Sequence, residues 1–234
     1  MKLFISLAFI VLFVASPLRA QNILYTATQE QTLSSEQCAD LIKIVWEEVK
    51  QTSDEYSNQL HTKNEFETTS DYETRVQNAN DASITRVRKF SNSHKLDSRL
   101  FAVWIKADLV KYNADEKIYT IKSSTKISLP PSSESVLTLM PPNPYLIIKE
   151  FVSSGYKYAL MQLNTNPEFI WHVEKEMAQK TKFSEQQLYF KVWFKLDITQ
   201  PKTTDEFKFV IVPTKITLLN KDDNTNYWSE IISQ

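Results

Sequence analysis

Apolar and polar side chains alternate along two stretches of the chain, 101–109 and 189–196. Successive side chains of a strand point to opposite faces, so a period of two predicts a strand with one buried face. We therefore expect two half-buried strands. Their apolar positions are Phe101, Val103, Ile105, Ala107 and Leu109 in the first stretch, and Phe190, Val192, Phe194 and Leu196 in the second.

The two stretches also match each other residue by residue. Segment 101–108 corresponds to 190–197, and segment 125–129 corresponds to 214–218 with the same offset. A match that recurs at a fixed offset indicates an internal duplication. We predict a duplicated unit of helix, strand and strand.

A period of 3.6 residues marks the chain from 34 to 51 and predicts an amphipathic helix. Ser34 or Ser35 can cap its N-terminus, and Glu36 and Asp40 lie near the positive end of its dipole. The polar stretch 52–63 then predicts a frayed helix end or a loop. The apolar stripe consists of Cys38, Leu41, Ile42, Val45, Trp46 and Val49.

The segment 63–76 carries the signals of a second helix start. Thr68 can act as the N-cap, and Asp71 lies three positions later, where it completes a capping box. Asp71 and Arg75 are one helical turn apart with the acid on the N-terminal side, which is the favourable order. We expect this helix to continue to about Arg88.

Phe66 precedes this start and can pack on Tyr72 as a hydrophobic clasp. Together the segment 66–75 reads Phe-Glu-Thr-x-x-Asp-Tyr-x-x-Arg. This motif resembles the Phe-Glu-Thr-x-x-(Asp/Glu)-Tyr-x-x-Arg signature of a loose family of uncharacterised secreted bacterial proteins, a domain of unknown function. The resemblance implies a protein of the bacterial envelope or its exterior, and it implies no activity and no site residues.

Strand signals recur without strict alternation with helices, which favours an α+β fold with antiparallel sheets packed with a few helices. A hairpin is expected to turn at 113–116, and 145–151 with 156–163 predicts another strand pair. Prolines at 130–131 and 141–144 exclude regular helix from the link between the copies.

The domain organisation follows from the repeat and the leader. We place a signal peptide at 1–20 and a mature α+β region at 21–234. Within that region the repeat-like units cover about 70–129 and 167–219, and the proline-rich link with its hairpin covers 130–166.

The leader predicts export. Residues 3–15 are apolar apart from Ser6, and small residues follow up to Ala20. This layout is typical of a secretory signal peptide, so we predict cleavage after Ala20 and a secreted or periplasmic protein without a later transmembrane segment. Leu18 is not the small residue preferred before such a cut, which leaves a retained membrane anchor as the alternative.

Composition excludes several chemistries. The single glycine, Gly155, excludes glycine-rich phosphate loops, dinucleotide fingerprints and the Gly-x-Ser-x-Gly nucleophile elbow. A net charge of −1 gives no electrostatic footprint for nucleic acid. We predict no cofactor and no nucleic-acid partner.

The single cysteine, Cys38, excludes an internal disulfide. It lies on an apolar stripe, so we interpret it as a small buried hydrophobe. The alternative is a disulfide between two chains.

The outward positions of the repeated strand combine aromatic rings with cations. If open to solvent, such a face could stack on sugar rings or bind an anionic envelope polymer. The alternative is that the helix before each strand covers this face, so that the tryptophans are core and lysine stems pass beside them. The candidate binding residues are Trp104, Lys106, Tyr189, Lys191, Trp193 and Lys195.

Two histidine–carboxylate pairs, His61 with Glu65 and His172 with Glu176, have the spacing of one helical turn. A metal site needs three or more converging ligands, and neither pair has a visible third. We interpret both as solvated pairs on helix surfaces and predict no metal site.

No residue pattern marks a catalytic centre. The carboxylate pairs at 115–116, 205–206 and 222–223 lie in predicted turns, where solvation explains them. We predict a non-catalytic binding or interaction protein of the bacterial envelope, with an envelope glycan or another envelope protein as partner. The alternatives are a small envelope-directed hydrolase, which titratable groups converging in a cleft would favour, and a structural subunit of a surface assembly, which an exposed apolar edge would favour.

Overall fold

The computed structural model of the protein describes residues 30–96, 98–129, 137–138, 144–153, 156–164, 169–199 and 207–232. Within these residues the chain forms three α-helices and three mostly antiparallel sheets, so the predicted α+β fold is confirmed. The predicted signal peptide 1–20, the link prolines at 130–131 and 141–142, Gly155 and the pair 205–206 lie outside the described residues.

The helices are α1 (Ser35–Gln59), α2 (Thr69–His94) and α3 (Lys175–Phe183), with one 3-10 turn at Glu185–Gln187. The first six strands are β1 (Glu30–Leu33), β2 (Leu100–Lys106), β3 (Asp108–Asn113), β4 (Ile118–Lys122), β5 (Lys126–Leu129) and β6 (Leu137–Thr138). The others are β7 (Leu146–Ser153), β8 (Tyr156–Leu163), β9 (Phe169–His172), β10 (Leu188–Thr199), β11 (Lys208–Asn220) and β12 (Asn226–Ile231).

Helix α1 begins where the sequence predicts. The Ser34 hydroxyl accepts a hydrogen bond from the Gln37 amide, and the Gln37 side chain accepts one from the Ser34 amide, which completes a capping box. Its predicted apolar stripe is buried except for Trp46, which is half-buried, and Cys38 is fully buried. The interpretation of Cys38 as a buried hydrophobe is therefore confirmed.

The predicted frayed end at 52–63 is wrong over its first two turns, because α1 continues to Gln59. Thr52, Ser53 and Tyr56 are buried there. The Tyr56 ring lies edge-on to Phe207, with centroids 6.0 Å apart. A contact between segments remote in sequence therefore stabilises a polar helical end.

Helix α2 begins with the predicted capping box between Thr68 and Asp71. It extends past the predicted end at Arg88 to His94, and Lys95 ends it in the left-handed region with φ of 54°. Helix α2 packs on α1. The two long helices therefore form an antiparallel pair.

The main sheet has the order β1-β2-β10-β11-β12. Strand β6 pairs with the beginning of β11, at Phe209 and Val210. Two smaller sheets have the orders β3-β4-β9 and β5-β8-β7. The strand pair predicted from 145–151 and 156–163 is confirmed as β7 and β8, and the hairpin predicted to turn at 113–116 is confirmed as β3 and β4. Segment 126–129 starts a separate strand, β5, which pairs with β8.

The two matching strands, β2 and β10, lie next to each other and run antiparallel. Val103 pairs with Val192, its counterpart in the repeat, so the paired strands are related by a local two-fold axis through these two residues. After this pairing the copies differ, because β2 ends at Lys106 while β10 continues to Thr199. The expectation of one strand through 101–109 is therefore wrong, since Ala107 separates β2 from β3. The duplication itself stays a prediction.

One contiguous cluster of buried apolar side chains joins α1 to all three sheets. In the main sheet this inner face includes Phe101 and Phe194, which pair across β2 and β10 with ring centroids 5.8 Å apart. Phe190 contacts Phe169 of β9 at 4.9 Å, which brings the β3-β4-β9 sheet onto the same core. The predicted binding residues of β2 and β10 lie on the opposite, outer face of the main sheet.

Candidate functional site

The predicted binding residues of β2 and β10 are brought together by strand register. Lys106 pairs with Tyr189, Trp104 with Lys191, and Ala102 with Trp193. We call this surface, with Lys215 of β11 and Lys221 of the following turn, the tryptophan–lysine face. Its seven residues are Trp104, Lys106, Tyr189, Lys191, Trp193, Lys215 and Lys221.

The tryptophan–lysine face lies on the side of the main sheet opposite to α1. Side chains alternate between the faces of a strand, and the neighbouring residues Val103, Phe190 and Val192 are buried with α1 in the core. The preceding helix does not cover the tryptophan of the first copy, because α2, which precedes β2, packs on α1. Trp193 is nevertheless buried, as the alternative of a covered face expects, and Trp104 is half-buried. Lysine side chains lie over the rings instead.

A β-bulge puts Lys215 on this face. The register between β10 and β11 shifts after Trp193, which pairs with Lys215, whereas Phe194 pairs with Pro213. The extra residue is Thr214, whose hydroxyl donates to the Trp193 carbonyl at 3.3 Å. A bulge reverses which positions of a strand face outward, so Lys215 lies beside the Trp193 ring rather than in the core.

Each of the three aromatic rings lies next to two ammonium groups. The Lys191 nitrogen is 5.6 Å from the Trp104 ring centroid and 4.7 Å from that of Trp193. Lys215 is 4.9 Å from Trp193, and Lys221 is 5.6 Å from Trp104 and 5.0 Å from Tyr189. These distances lie within the range of cation–π attraction. The face is therefore a ladder in which cations and rings alternate.

Lys106 has a structural task within the ladder. Its ammonium donates to the carbonyls of Ala107, Glu185 and Leu188 at 3.2, 2.5 and 3.2 Å. Burial lowers its pKa, although Asp108 and Glu185 act in the opposite direction. These bonds hold the start of β10 against the end of β2. Because an ammonium group has three N–H donors and all three are used, Lys106 has no donor left for a ligand.

Glu30 provides the negative charge on this face. Its carboxylate accepts a hydrogen bond from Lys191 at 2.6 Å. This bond, opposed by desolvation and assisted by the nearby Trp193 side chain, holds the pKa of Glu30 below its ordinary value. Lys191 is therefore occupied by an acid.

Lys215 and Lys221 form no salt bridge within the described part of the chain, although the Glu30 carboxylate attracts Lys215 at longer range. Lys221 is exposed and Lys215 half-buried. Lys195 points to the same side further along β10, where it pairs with Val212 and is exposed. Five of the six predicted residues thus lie in the ladder, and Lys195 lies beyond its end.

A cleft of about 450 Å³ opens beside the ladder. Trp104, Tyr189 and Lys221 form one side of it, and the N-terminal turn of α1 forms another. The cleft therefore gives a small group access to the edge of the ladder. Its lining residues are Thr32, Leu33, Ser34, Ser35, Glu36, Trp104, Lys106, Thr125, Tyr189 and Lys221.

The motif at 66–75 fastens the turn between α1 and α2. Arg75 makes a two-pronged ion pair with Glu67, at 2.9 and 3.0 Å, and lies 5.1 Å from the Tyr72 ring. It also donates to the carbonyl of Gln59, which has no helical partner at the end of α1, and to the carbonyl of His61 in the turn that follows. The motif therefore has a structural role: it connects the start of α2 to the end of α1.

The predicted clasp of Phe66 on Tyr72 is wrong, because Phe66 is 89% exposed. The helical spacing assumed for the histidine pairs is wrong as well. His61 and Glu65 lie in the turn before α2, and His172 lies in β9 while Glu176 lies in α3. In the described residues, no three His, Cys, Asp or Glu side chains come together as a metal site would require.

Other reactive groups have structural surroundings. Burial raises the pKa of the Cys38 thiol to about 12, which keeps it protonated. Asp115 and Glu116 lie in the β3-β4 turn, and Asp222 and Asp223 lie in the β11-β12 turn, as predicted.

A comparison of the chain with family models, with curated proteins and with solved structures finds no match. The family suggested by the motif at 66–75 therefore stays a prediction. None of the described helices combines the length and apolar character that crossing a bilayer requires.

Proposed function

We propose that this protein is a non-catalytic, secreted or periplasmic protein of the bacterial envelope that binds an envelope glycan through the tryptophan–lysine face. The observation that carries the proposal is the gathering of three aromatic rings and four lysines on one sheet face, away from the core helix. Surfaces that combine rings with unpaired cations are typical of interaction sites.

The charged groups of the helix pair favour binding over hydrolysis. A cavity of about 670 Å³ between α1 and α2 is lined by Glu55, Arg75 and Arg86. Arg86 pairs with Glu48 at 2.7 Å and with Glu55 at 2.5 Å, and Arg75 pairs with Glu67. Each charge is matched by a partner of opposite sign, whereas an acid–base centre needs groups left poised for proton transfer.

The exposed apolar side chains do not favour a structural subunit. Among the described residues, the large ones are distributed over several separate elements rather than along one sheet edge. These are Phe66, Val110, Val152, Ile170, Met177, Phe183 and Ile231.

Co-sedimentation with purified bacterial cell-wall sacculi tests the proposal. Thr32 is exposed at the cleft beside Trp104, so Thr32→Trp fills the cleft without changing any charge. We expect the wild type to sediment with the sacculi and Thr32→Trp to remain mostly in the supernatant.

The matched control is Ser128→Trp, which adds the same side chain at an exposed position of β5. This variant should sediment like the wild type. Equal sedimentation of both variants, or no sedimentation of the wild type, would overturn the proposed function.

A further inference from the structure

Ammonium groups already cover the indole rings of Trp104 and Trp193 in the tryptophan–lysine face. Trp104 has the ammonium groups of Lys191 and Lys221 each at 5.6 Å, and Trp193 has those of Lys191 and Lys215 at 4.7 and 4.9 Å. A neutral sugar ring that stacked on these indoles would have to displace an ammonium group from each. Stacking is therefore not what this arrangement offers to a ligand.

The rings instead hold the lysines in place. A free lysine side chain loses considerable rotamer entropy when it is fixed by a ligand. Cation–π contacts fix Lys215 on Trp193, and fix Lys221 on Trp104 and Tyr189, before any ligand arrives. Two ammonium groups that form no salt bridge in the described residues are thereby positioned in the ladder, Lys215 at one end on Trp193 and Lys221 between Trp104 and Tyr189.

No described carboxylate forms a salt bridge with these two cations. Glu30 pairs with Lys191 and acts on Lys215 only through longer-range attraction, and Glu36 and Asp222 lie near Lys221 without pairing with it. The exposed Lys195 extends the positive row along β10. A ligand with several regularly spaced negative charges would complement the row, whereas a single small anion would meet only one end of it.

We propose, building on the proposed function, that the ligand is an acidic polysaccharide whose anionic groups are bound by Lys215 and Lys221. The aromatic rings act as positioning residues for these two ammonium groups. The anionic groups can be carboxylate, sulfate or phosphate, since an ammonium group is a compact point charge that binds any of these anions without a fixed geometry.

Single-stranded nucleic acid is the competing polyanion, and the face is poorly suited to it. Proteins that bind single strands stack bases on open aromatic rings within a strongly positive groove. Here the rings are covered by ammonium groups, and the chain carries a net charge of −1.

Binding to chemically matched polymers tests the inference on the full-length exported protein. The probes are dextran sulfate against uncharged dextran of the same length, with polygalacturonate as a carboxylate polymer and single-stranded DNA as the nucleic acid. We expect binding to both acidic polysaccharides, no detectable binding to dextran, and weaker binding as NaCl rises from about 0.05 M to about 0.5 M.

The double variant Lys215→Gln/Lys221→Gln should weaken binding to the acidic polysaccharides by roughly fivefold or more, because it removes two ammonium contacts. Lys43→Gln/Lys111→Gln removes the same charge from exposed positions of α1 and β3 and should bind like the wild type. Thermal unfolding of both variants confirms that the fold is retained.

The possible results separate the two proposals. Equal binding to dextran and dextran sulfate, or an unchanged affinity of the Lys215→Gln/Lys221→Gln variant, would overturn the acidic ligand and leave the glycan-binding function standing. Tighter binding to single-stranded DNA than to either acidic polysaccharide would overturn it in favour of nucleic acid. Absence of binding to sacculi and to every glycan would overturn the proposed function itself.

Discussion

Lysine has three different roles on one face of this protein. Lys106 donates to three backbone carbonyls, Lys191 pairs with Glu30, and Lys215 and Lys221 lie against rings and form no salt bridge among the described residues. The role of each follows from the acceptors that the fold places within reach. Residue type alone would have assigned all four to the ligand.

Replacing these lysines by a residue of similar length should separate the roles. Lys106→Met removes the donors of three carbonyls, so we expect a loss of about 2 kcal/mol in the free energy of unfolding. Lys221→Met removes an exposed ammonium group and should change the free energy of unfolding by less than about 0.5 kcal/mol. Urea unfolding of both variants measures the difference, and equal losses would contradict the structural role of Lys106.

The thiol of Cys38 should be inert in the folded protein. It is fully buried, and burial raises its pKa to about 12, so almost no thiolate exists at neutral pH. A thiol reagent should label the chain only after denaturant unfolds it. Rapid labelling of the native protein would place Cys38 in an accessible environment and contradict the packing of α1.

The Glu30–Lys191 pair should make stability depend on pH in acid. The bond from Lys191 lowers the pKa of Glu30 in the fold from its ordinary 4.5. A lowered carboxyl pKa stabilises the fold above pH 4.5, and this contribution is lost as pH falls through the lowered value. Wild type should therefore be more stable than Glu30→Gln at pH 7, by a margin that closes in acid. Thermal unfolding across pH measures this margin, and a constant margin would contradict it.

The sequence predicts which residues of β2 and β10 face outward, because a period of two fixes their side. It does not reveal Lys215, because the bulge at Thr214 reverses the alternation along β11 and leaves no local pattern. Glu30 and Lys221 join the face only through β1–β2 pairing and the turn after β11.

At the scale of elements, the most instructive segment is the turn between α1 and α2. Arg75 reaches from the second helix to the last carbonyls of the first, and Glu67 holds its guanidinium in a planar fork. The sequence predicts the capping box of Thr68 and Asp71, which uses near neighbours. It does not predict the Arg75 contacts with Gln59 and His61, which need both helices in place.

Arg75→Lys should loosen this turn although it keeps the charge. A lysine cannot make the two-pronged pair with Glu67 and also cap α1, because its donors lie on one nitrogen. We expect a lower melting temperature and faster hydrogen exchange at the end of α1. Arg88→Lys, at an exposed position of the same helix, is the control and should melt like the wild type. Equal melting temperatures and equal hydrogen-exchange rates for the two variants would contradict the structural role of Arg75.

Two element boundaries also show where local patterns fail. The polar segment after residue 51 lacks an apolar stripe, yet it is helical because Tyr56 packs on Phe207. The apolar alternation through 101–109 suggests one strand, yet the chain leaves the main sheet after Lys106 and β3 pairs with β4 instead. Both departures are decided by partners distant in sequence.

At the scale of the whole molecule, the two segments with matching sequences, 101–106 and 190–195, lie together at the centre of the main sheet. The two matching strands pair around Val103 and Val192, so like segments face each other in opposite directions. Their aromatic and cationic residues are thereby interleaved, which gives the alternation of rings and ammonium groups. Beyond this pair the copies have different partners, and α2 is far longer than α3.

Burial on the outer face also limits which variants can test binding. Trp193 is only 8% exposed, so Trp193→Ala should lose about 3 kcal/mol or more in the free energy of unfolding. A loss of binding by this variant would therefore not be separable from a loss of folding. Charge-removing substitutions at Lys215 and Lys221 test the face more cleanly.

Lysine acetylation followed by mass spectrometry, with and without dextran sulfate, tests the central claim most directly. A bound acidic polymer should shield the ammonium groups that it contacts. We expect acetylation to slow at Lys215 and Lys221 and to stay unchanged at Lys43 and Lys111. Shielding of Lys43 and Lys111 without shielding of Lys215 and Lys221 would place the ligand elsewhere and contradict a binding role for the tryptophan–lysine face.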